Sequence, residues 1–159
     1  MGTDVHGLAA ERLQGGRKRY TRRRQELVEL LLAARGPLTV EHILTLGPQL
    51  RLSSVYRNLT VLEDADVVRR LSRDPAGHAC FELSEDLTGH HHHLACKRCG
   101  AMTDVELTDA IEEHLERELD RLALERGFEV TSHRLDIFGR CQSCPSVETS
   151  LSTEIASPC

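Results

Sequence analysis

The sequence predicts an α+β chain in two units: a helical unit closed by a β-hairpin, then a smaller α/β unit pinned by cysteines. Three observations carry this. Apolar residues recur at helical spacing as far as Leu62, and two short alternating segments follow. A run of four histidines, His90 to His93, ends three residues before the pair Cys96-x-x-Cys99-Gly100. A second pair, Cys141-x-x-Cys144, follows another helical stretch.

The 159 residues fit one large domain or two small ones. No apolar run approaches the roughly 18 residues of a membrane span, and the N-terminus lacks a signal-peptide core. A cytoplasmic protein without a membrane partner is expected. Reducing cytosol keeps thiols unpaired, so the cysteine pairs read as metal ligands. Cys80 and Cys159 are left over. The net charge of −5 is uneven: residues 1–35 carry eight Lys/Arg against four Asp/Glu, residues 81–130 five against thirteen. A basic end on an acidic chain suits a polyanion partner for that end alone.

Residues 1–16 show no sustained period and contain two adjacent glycines, so a disordered arm is expected there. Arg17 to Arg24 then crowd around Tyr20, and Leu27, Leu30, Leu31 and Ala34 form the apolar stripe of a helix that Gly36-Pro37 stops. Thr39 suits the N-cap of a short helix bearing Val40, Ile43 and Leu44, ended by Gly47-Pro48. Ser53 is expected to cap the next, with Val55, Leu59 and Leu62 inward. Two short helices across a Gly/Pro turn form a helix-turn-helix signature. Val67 to Leu71 and Ala79 to Leu83 read as strands around the turn Asp74-Pro75-Ala76-Gly77. The result is a winged helix over residues 17–84.

Residues 85–89 read as a hinge. The second unit spans residues 90–144: a histidine strand, a long helix capped by Thr108 with Ile111, Leu115, Leu119 and Leu122 inward, and a strand from Val130 to Phe138 that delivers the chain to Cys141. Residues 145–159, rich in Ser, Thr and Pro, are expected to be a disordered tail.

Each Cys-x-x-Cys aims two sulfurs at one point, and Zn²⁺ accepts four thiolates without redox liability. Cys96, Cys99, Cys141 and Cys144 are therefore the expected structural zinc ligands. Along a strand, side chains alternate faces. His91 and His93 share one face and His90 and His92 the other, so one strand can feed two sites. On the wing strand the same alternation aligns His78, Cys80 and Glu82. Glu82 can close a hinge site with His91 and His93, its fourth ligand open among His42, His78, Cys80 and water. His90 and His92 find natural partners in His133 and in Glu112 or Glu113 of the long helix. Mixed N/O ligands suit Fe²⁺, Mn²⁺, Zn²⁺, Co²⁺ or Ni²⁺, and a Cys80 ligand would tilt the site towards zinc.

In this order the motifs resemble the ferric uptake regulator family of bacterial metal-responsive repressors. The resemblance covers residues 18–144. It rests on Ser54-Val55-Tyr56-Arg57-Asn58-Leu59, on the stretch from the histidine run to Cys99-Gly100, and on Ser132-His133-Arg134-Leu135-Asp136-Ile137-Phe138-Gly139-Arg140-Cys141-Gln142-Ser143-Cys144. It implies a homodimer of winged-helix DNA-binding domains joined by an α/β dimerisation domain, and structural Zn²⁺ at the four paired cysteines. It also implies a regulatory site at Glu82, His91 and His93 and often a second site at His90, His92, His133 and a glutamate of the long helix, taken as Glu112 with Glu113 left open. The regulatory ion is expected to be Fe²⁺ or Zn²⁺, with iron favoured and Mn²⁺ or Ni²⁺ behind. Metal then closes the hinge so that the dimer grips an AT-rich palindromic operator. The peroxide-sensing branch typically has aspartate where Glu82 stands.

On the recognition helix, Tyr56, Arg57 and Thr60 can face outward, Tyr56 towards a thymine methyl or phosphate and Arg57 towards a guanine edge or the backbone. Arg22, Arg23, Ser54, Tyr56 and Arg57 are the expected DNA contacts, the arginines positioning the domain on phosphates. Two other classes compete. A zinc-dependent hydrolase could use an open metal site to activate water, yet no nucleophile–base constellation stands out. A zinc-ribbon interaction module would bind a protein partner without metal-dependent DNA binding.

Overall fold

The computed structural model describes residues 4–72 and 79–144. The first unit contains α1 (Val5–Gly15), α2 (Arg22–Ala33), β1 (Leu38–Thr39), α3 (Val40–Leu46), α4 (Leu52–Glu63), β2 (Val68–Ser72) and β3 (Ala79–Leu83). After α5 (Glu85–Thr88) come β4 (His92–Cys96), β5 (Met102–Val105), α6 (Asp109–Glu125) and β6 (Asp136–Gly139). Together they make the two-domain α+β architecture expected.

The first unit packs α1–α4 on an antiparallel sheet of order β1-β3-β2. Its core joins Leu27, Val28 and Leu31 of α2, Ile43 of α3, and Val55, Leu59 and Leu62 of α4 with Val67, Val68, Phe81 and Leu83. Thr39 caps α3 as expected, its hydroxyl accepting from the His42 amide at 3.2 Å. α4 begins at Leu52 after the extended Arg51, earlier than the expected Ser53 cap. The expected turn at residues 74–77 lies outside the described residues, as does the tail at 145–159.

The expected disordered arm is instead α1. Asp4 caps it by accepting from the Gly7 amide at 2.9 Å, and Val5, Ala9 and Leu13 are buried against the first unit. A stripe of one valine, one alanine and one leucine is too faint to signal a helix on its own. Burial in a groove of the folded domain stabilises it instead. The Nδ1 of His6 lies 2.7 Å from the Tyr20 hydroxyl, which joins α1 to the start of α2. Arg12 donates to the Asp66 carbonyl and, at 3.1 Å, to Asp86 on α5. The hinge itself is a turn of helix, α5, rather than open linker, with Leu87 buried.

The second unit is a sheet of order β5-β4-β6, in which β4 runs antiparallel to β5 and parallel to β6. In place of the long strand expected from Val130 to Phe138, the strand is the shorter Asp136–Gly139. α6 departs further from expectation. Ala123 is its one buried residue, while Ile111 and Leu122 are half-exposed at 54% and 46%. Leu115 and Leu119 are partly buried, so the apolar face of α6 is only partly covered among the described residues.

The units also touch through backbone. The Asp104 amide donates to the Arg35 carbonyl at 3.2 Å. A Cβ at Gly36 would lie 2.6 Å from the Met102 carbonyl oxygen, so only glycine allows this approach.

Candidate metal centres

Four local features place the cysteines. Cys96 ends β4 and Cys99 follows in a turn closed by Gly100, whose φ of 69° favours glycine. Cys141 and Cys144 follow β6, which the parallel pairing of Cys96 with Gly139 holds beside β4. The Lys97 amide donates to the Gly139 carbonyl at 2.9 Å and fixes the approach. The sulfurs then lie 3.7 Å (Cys96–Cys144), 3.6 Å (Cys99–Cys141) and 3.5 Å (Cys141–Cys144) apart. A disulfide would need about 2.05 Å. A tetrahedron of thiolates around zinc, at about 2.3 Å per bond, has edges near 3.8 Å, so the spacing suits a cation among four sulfurs.

The electrostatics agree. The amides of Cys99 and Cys141 bring the Cys96 thiol down to about 5, and the Cys141 amide donates to that sulfur at 3.3 Å. Cys144 is pushed up to about 12 by loss of water and by the sulfurs of Cys141, Cys99 and Cys96. Four thiolates this close repel, and a divalent cation at their centre removes the conflict.

The hinge cluster joins the two units. Glu82 comes from β3, His91 from the segment before β4, His93 from β4 and Asp104 from β5, and one ligand atom of each lies within 4.8 Å of the others. The Oε2 of Glu82 is 2.8 Å from the Nε2 of His93 and 3.4 Å from that of His91. His93 is wholly buried, and its Nδ1 lies 3.1 Å from Asp136. With a proton on that nitrogen, the Nε2 lone pair points into the cluster, as metal-binding imidazoles require. Burial alone would raise Glu82, yet hydrogen bonds to His93 and Arg69 hold it down at about 2. Burial alone would likewise lower His93, but Glu82, Asp136 and Asp104 raise it. Burial lifts Asp104 above its ordinary value against the pull of His91 and His93.

Asp104 is the fourth member of this cluster, where the sequence left the fourth ligand open. His42 is exposed and belongs to none of the three clusters, Cys80 is buried in β3 outside the cluster, and His78 lies outside the described residues. Asp104 and Asp136 escaped sequence reasoning because both follow from register: His93 sits opposite Asp104 on one side and Asp136 on the other.

On the opposite face of β4, His92 and the preceding His90 meet Glu112 of α6 and His133 from the segment before β6 in a third cluster. Glu112 lies 3.0 Å from His92, 3.2 Å from His90 and 2.8 Å from His133. A hydrogen bond to His92 holds its carboxyl below the usual range. Despite the 2.8 Å separation, the His133 Nε2 and Glu112 Oε1 fail hydrogen-bond geometry, and both are buried without a hydrogen-bond partner among the described residues, as is the Nδ1 of His92. Buried polar atoms that converge without bonding one another need a further partner, and a cation fits between a carboxylate oxygen and an imidazole lone pair. Glu113, the alternative to Glu112, is exposed and pairs with Arg117.

At the other end of the first unit, Arg22, Tyr56 and Arg57 are exposed. Arg23 is half-exposed and pairs with Glu26 at 2.8 Å. Tyr56 is 54% exposed, which rules out a core role within this chain. Ser54 is partly buried and accepts from the buried Asn58, which in turn accepts from Arg24 at 3.2 Å, so Ser54 and Arg24 brace the α2–α4 contact.

Among known proteins, the family described as "Ferric uptake regulator family" matches residues 16–138. The ferric uptake regulation protein of Campylobacter jejuni is 34% identical over 137 residues, covering 82% of each chain. The ferric uptake regulator of Vibrio cholerae superposes with a TM-score of 0.62 at 28% identity, covering 81% of this chain and 96% of that one. The regulator of Helicobacter pylori reaches 0.72 at 21% identity over 94% of this chain and 100% of that one, a likeness of fold.

Proposed function

Because this chain belongs to the ferric uptake regulator family, we propose that it is a metal-dependent repressor of metal-uptake and homeostasis genes. It binds an AT-rich palindromic operator as a homodimer. Iron is favoured over zinc as the effector, and Zn²⁺ at Cys96, Cys99, Cys141 and Cys144 is structural.

The observation that carries the regulatory reading is the split origin of the hinge cluster. Glu82 belongs to the winged-helix unit, while His91, His93 and Asp104 belong to the other. These four side chains converge only when the units are closed on each other. A divalent cation fits among the free oxygen of Glu82, the carboxylate of Asp104 and the two imidazoles. Holding both units at once, the ligand set has higher affinity for the closed form, and that differential affinity is what moves the equilibrium. A full switch from 1:99 to 99:1 needs a preference of about 10⁴-fold. The second cluster, His90, His92, Glu112 and His133, lies within the C-terminal unit and is a second metal site.

The donor set supports iron. Two imidazoles and two carboxylates, without the thiolate that Cys80 could have contributed, suit Fe²⁺ or Mn²⁺ better than a thiol-containing site would. The partly covered face of α6 supports the homodimer, since half-exposed Ile111 and Leu122 would otherwise stand in water. Exposed Arg22, Arg23, Tyr56 and Arg57 support DNA contact by α2 and α4, with Ser54 setting the pose of α4.

The test is fluorescence anisotropy of zinc-replete protein with its own promoter DNA under buffered free Fe²⁺, Mn²⁺, Zn²⁺ or Ni²⁺. DNA binding that appears above a threshold of Fe²⁺ and fails in Glu82→Ala supports the proposal. Binding indifferent to every metal refutes it.

A further inference from the structure

One guanidinium stands between the hinge cluster and the second cluster. Arg69 lies on β2 directly across from Glu82 in the strand register. Its Nε and Nη2 donate to Glu82 Oε1 at 3.2 and 2.7 Å, and the same Nη2 donates to Glu85 Oε1 at 2.7 Å. The other oxygen of Glu85 lies 3.2 Å from the Nδ1 of His90. His90 in turn presents its Nε2 to Glu112, 3.2 Å away, in the second cluster. Each of the two carboxylates thus gives one oxygen to Arg69 and the other to a histidine of a cluster. An unbroken chain runs from the hinge cluster through Glu82, Arg69, Glu85 and His90 to the second.

We propose that Arg69 and Glu85 couple the two clusters, so that loading either one tightens the other. The proposal rests on the reading of both clusters as metal sites. Neither residue touches a cation; both are positioning residues. The Arg69 fork is planar and rigid, so it restricts how Glu82 can turn and leaves only Oε2 for the hinge cluster. Glu85 acts on His90 in the same way. By accepting from Nδ1–H, it fixes the tautomer whose Nε2 lone pair faces Glu112.

Filling the hinge cluster immobilises Glu82, and through Arg69 it immobilises Glu85 and His90. The second ion then meets a histidine already ordered, and the ordering cost is not met twice. The carboxylates of Glu82 and Glu85, placed between the clusters, offset repulsion between two cations. Linkage requires that the same factor act in both directions. The network is partly shielded, with the Arg69, Glu82 and Glu85 side chains 35%, 7% and 18% exposed, so solvent does not short-circuit it as it would a surface pair.

Full-length protein with zinc at its four cysteines is titrated with Co²⁺ as an optical probe, and the hinge affinity is compared between wild type and His133→Ala. The expected result is at least about fivefold tighter hinge binding when the second cluster is intact, the lower end of ordinary coupling. In Glu85→Gln, which keeps every cluster ligand, the same comparison gives no difference. Arg69→Lys, which keeps the charge but loses the fork, also removes it. A His133→Ala effect of equal size with and without Glu85→Gln overturns the coupling, as does a change in melting temperature alone. Absence of any Co²⁺ signal that His91→Ala abolishes overturns the metal reading, and the proposal with it.

Discussion

Replacing Leu13 with alanine tests whether α1 is part of the winged-helix core. Leu13 is fully buried among residues of that core. Truncation loses the transfer free energy of the side chain and leaves a cavity, together about 2–5 kcal/mol at such a site. For a unit of this size each kcal/mol moves the melting point by about 4–8 °C, so the shift should reach at least about 8 °C. Leu52, 53% exposed on α4, serves as the control, and its truncation should cost no more than about 0.5 kcal/mol. The assay is urea and thermal unfolding of zinc-loaded protein followed by tyrosine fluorescence. Both tyrosines, Tyr20 and Tyr56, lie in the first unit and the chain has no tryptophan, so the signal isolates that unit. A Leu13→Ala protein that melts with the Leu52 control would mean that α1 does not dock in solution. The consequence reaches function, because Arg12 on α1 contacts both Asp66 and Asp86 beside the hinge.

Cys96→Ala should unfold the second unit, seen as loss of amide-exchange protection in β4–β6, whereas Glu82→Ala should keep that protection and lose only metal-dependent DNA binding. Equal loss of structure in both would refute the division into structural and regulatory sites. Replacing Arg22 and Arg23 with alanine, and leaving the bracing Arg24 in place, should weaken binding to all DNA sequences and flatten its salt dependence by about 0.9 for each phosphate no longer neutralised. An unchanged slope would remove α2 from the interface. Burial, with Glu29 and Asp4 nearby, raises the Tyr20 hydroxyl to about 12. A raised acid stabilises the fold below its unfolded value near 10 and loses that contribution as pH climbs from 10 to 12. The α1 contact should therefore loosen across that window, and the 295 nm difference titration between wild type and Tyr20→Phe should show an ionisation displaced above 10. A midpoint at 10 would refute the shielding of the Tyr20 hydroxyl beneath α1.

The features legible in the sequence are those set by local periodicity. Two Cys-x-x-Cys knuckles, the period-two alternation of His90 to His93, and the apolar stripes of α2, α3 and α4 each follow from a few adjacent residues, and the structure brings those residues together. The face that Glu82 shares with the hinge was readable for the same reason. Register, docking and partner surfaces were not. Asp104 and Asp136 reach His93 only because two strands pair with β4 at a particular offset, and a shift of one residue would send each carboxylate to the other face. Glu112 was separable from Glu113 only once the rotation of α6 was fixed. α1 carries too little apolar surface to announce a helix, and only the groove it fills gives it form. Arg69 reads in sequence as one more basic strand residue, and its place between two clusters comes from pairing with Glu82 and from the turn of α5 that presents Glu85. The sequence by itself determined the cysteine and histidine donors, because their chemistry and spacing are local. Only the tertiary structure decided which of them meet, because that depends on strand register and domain contact between residues distant in the chain.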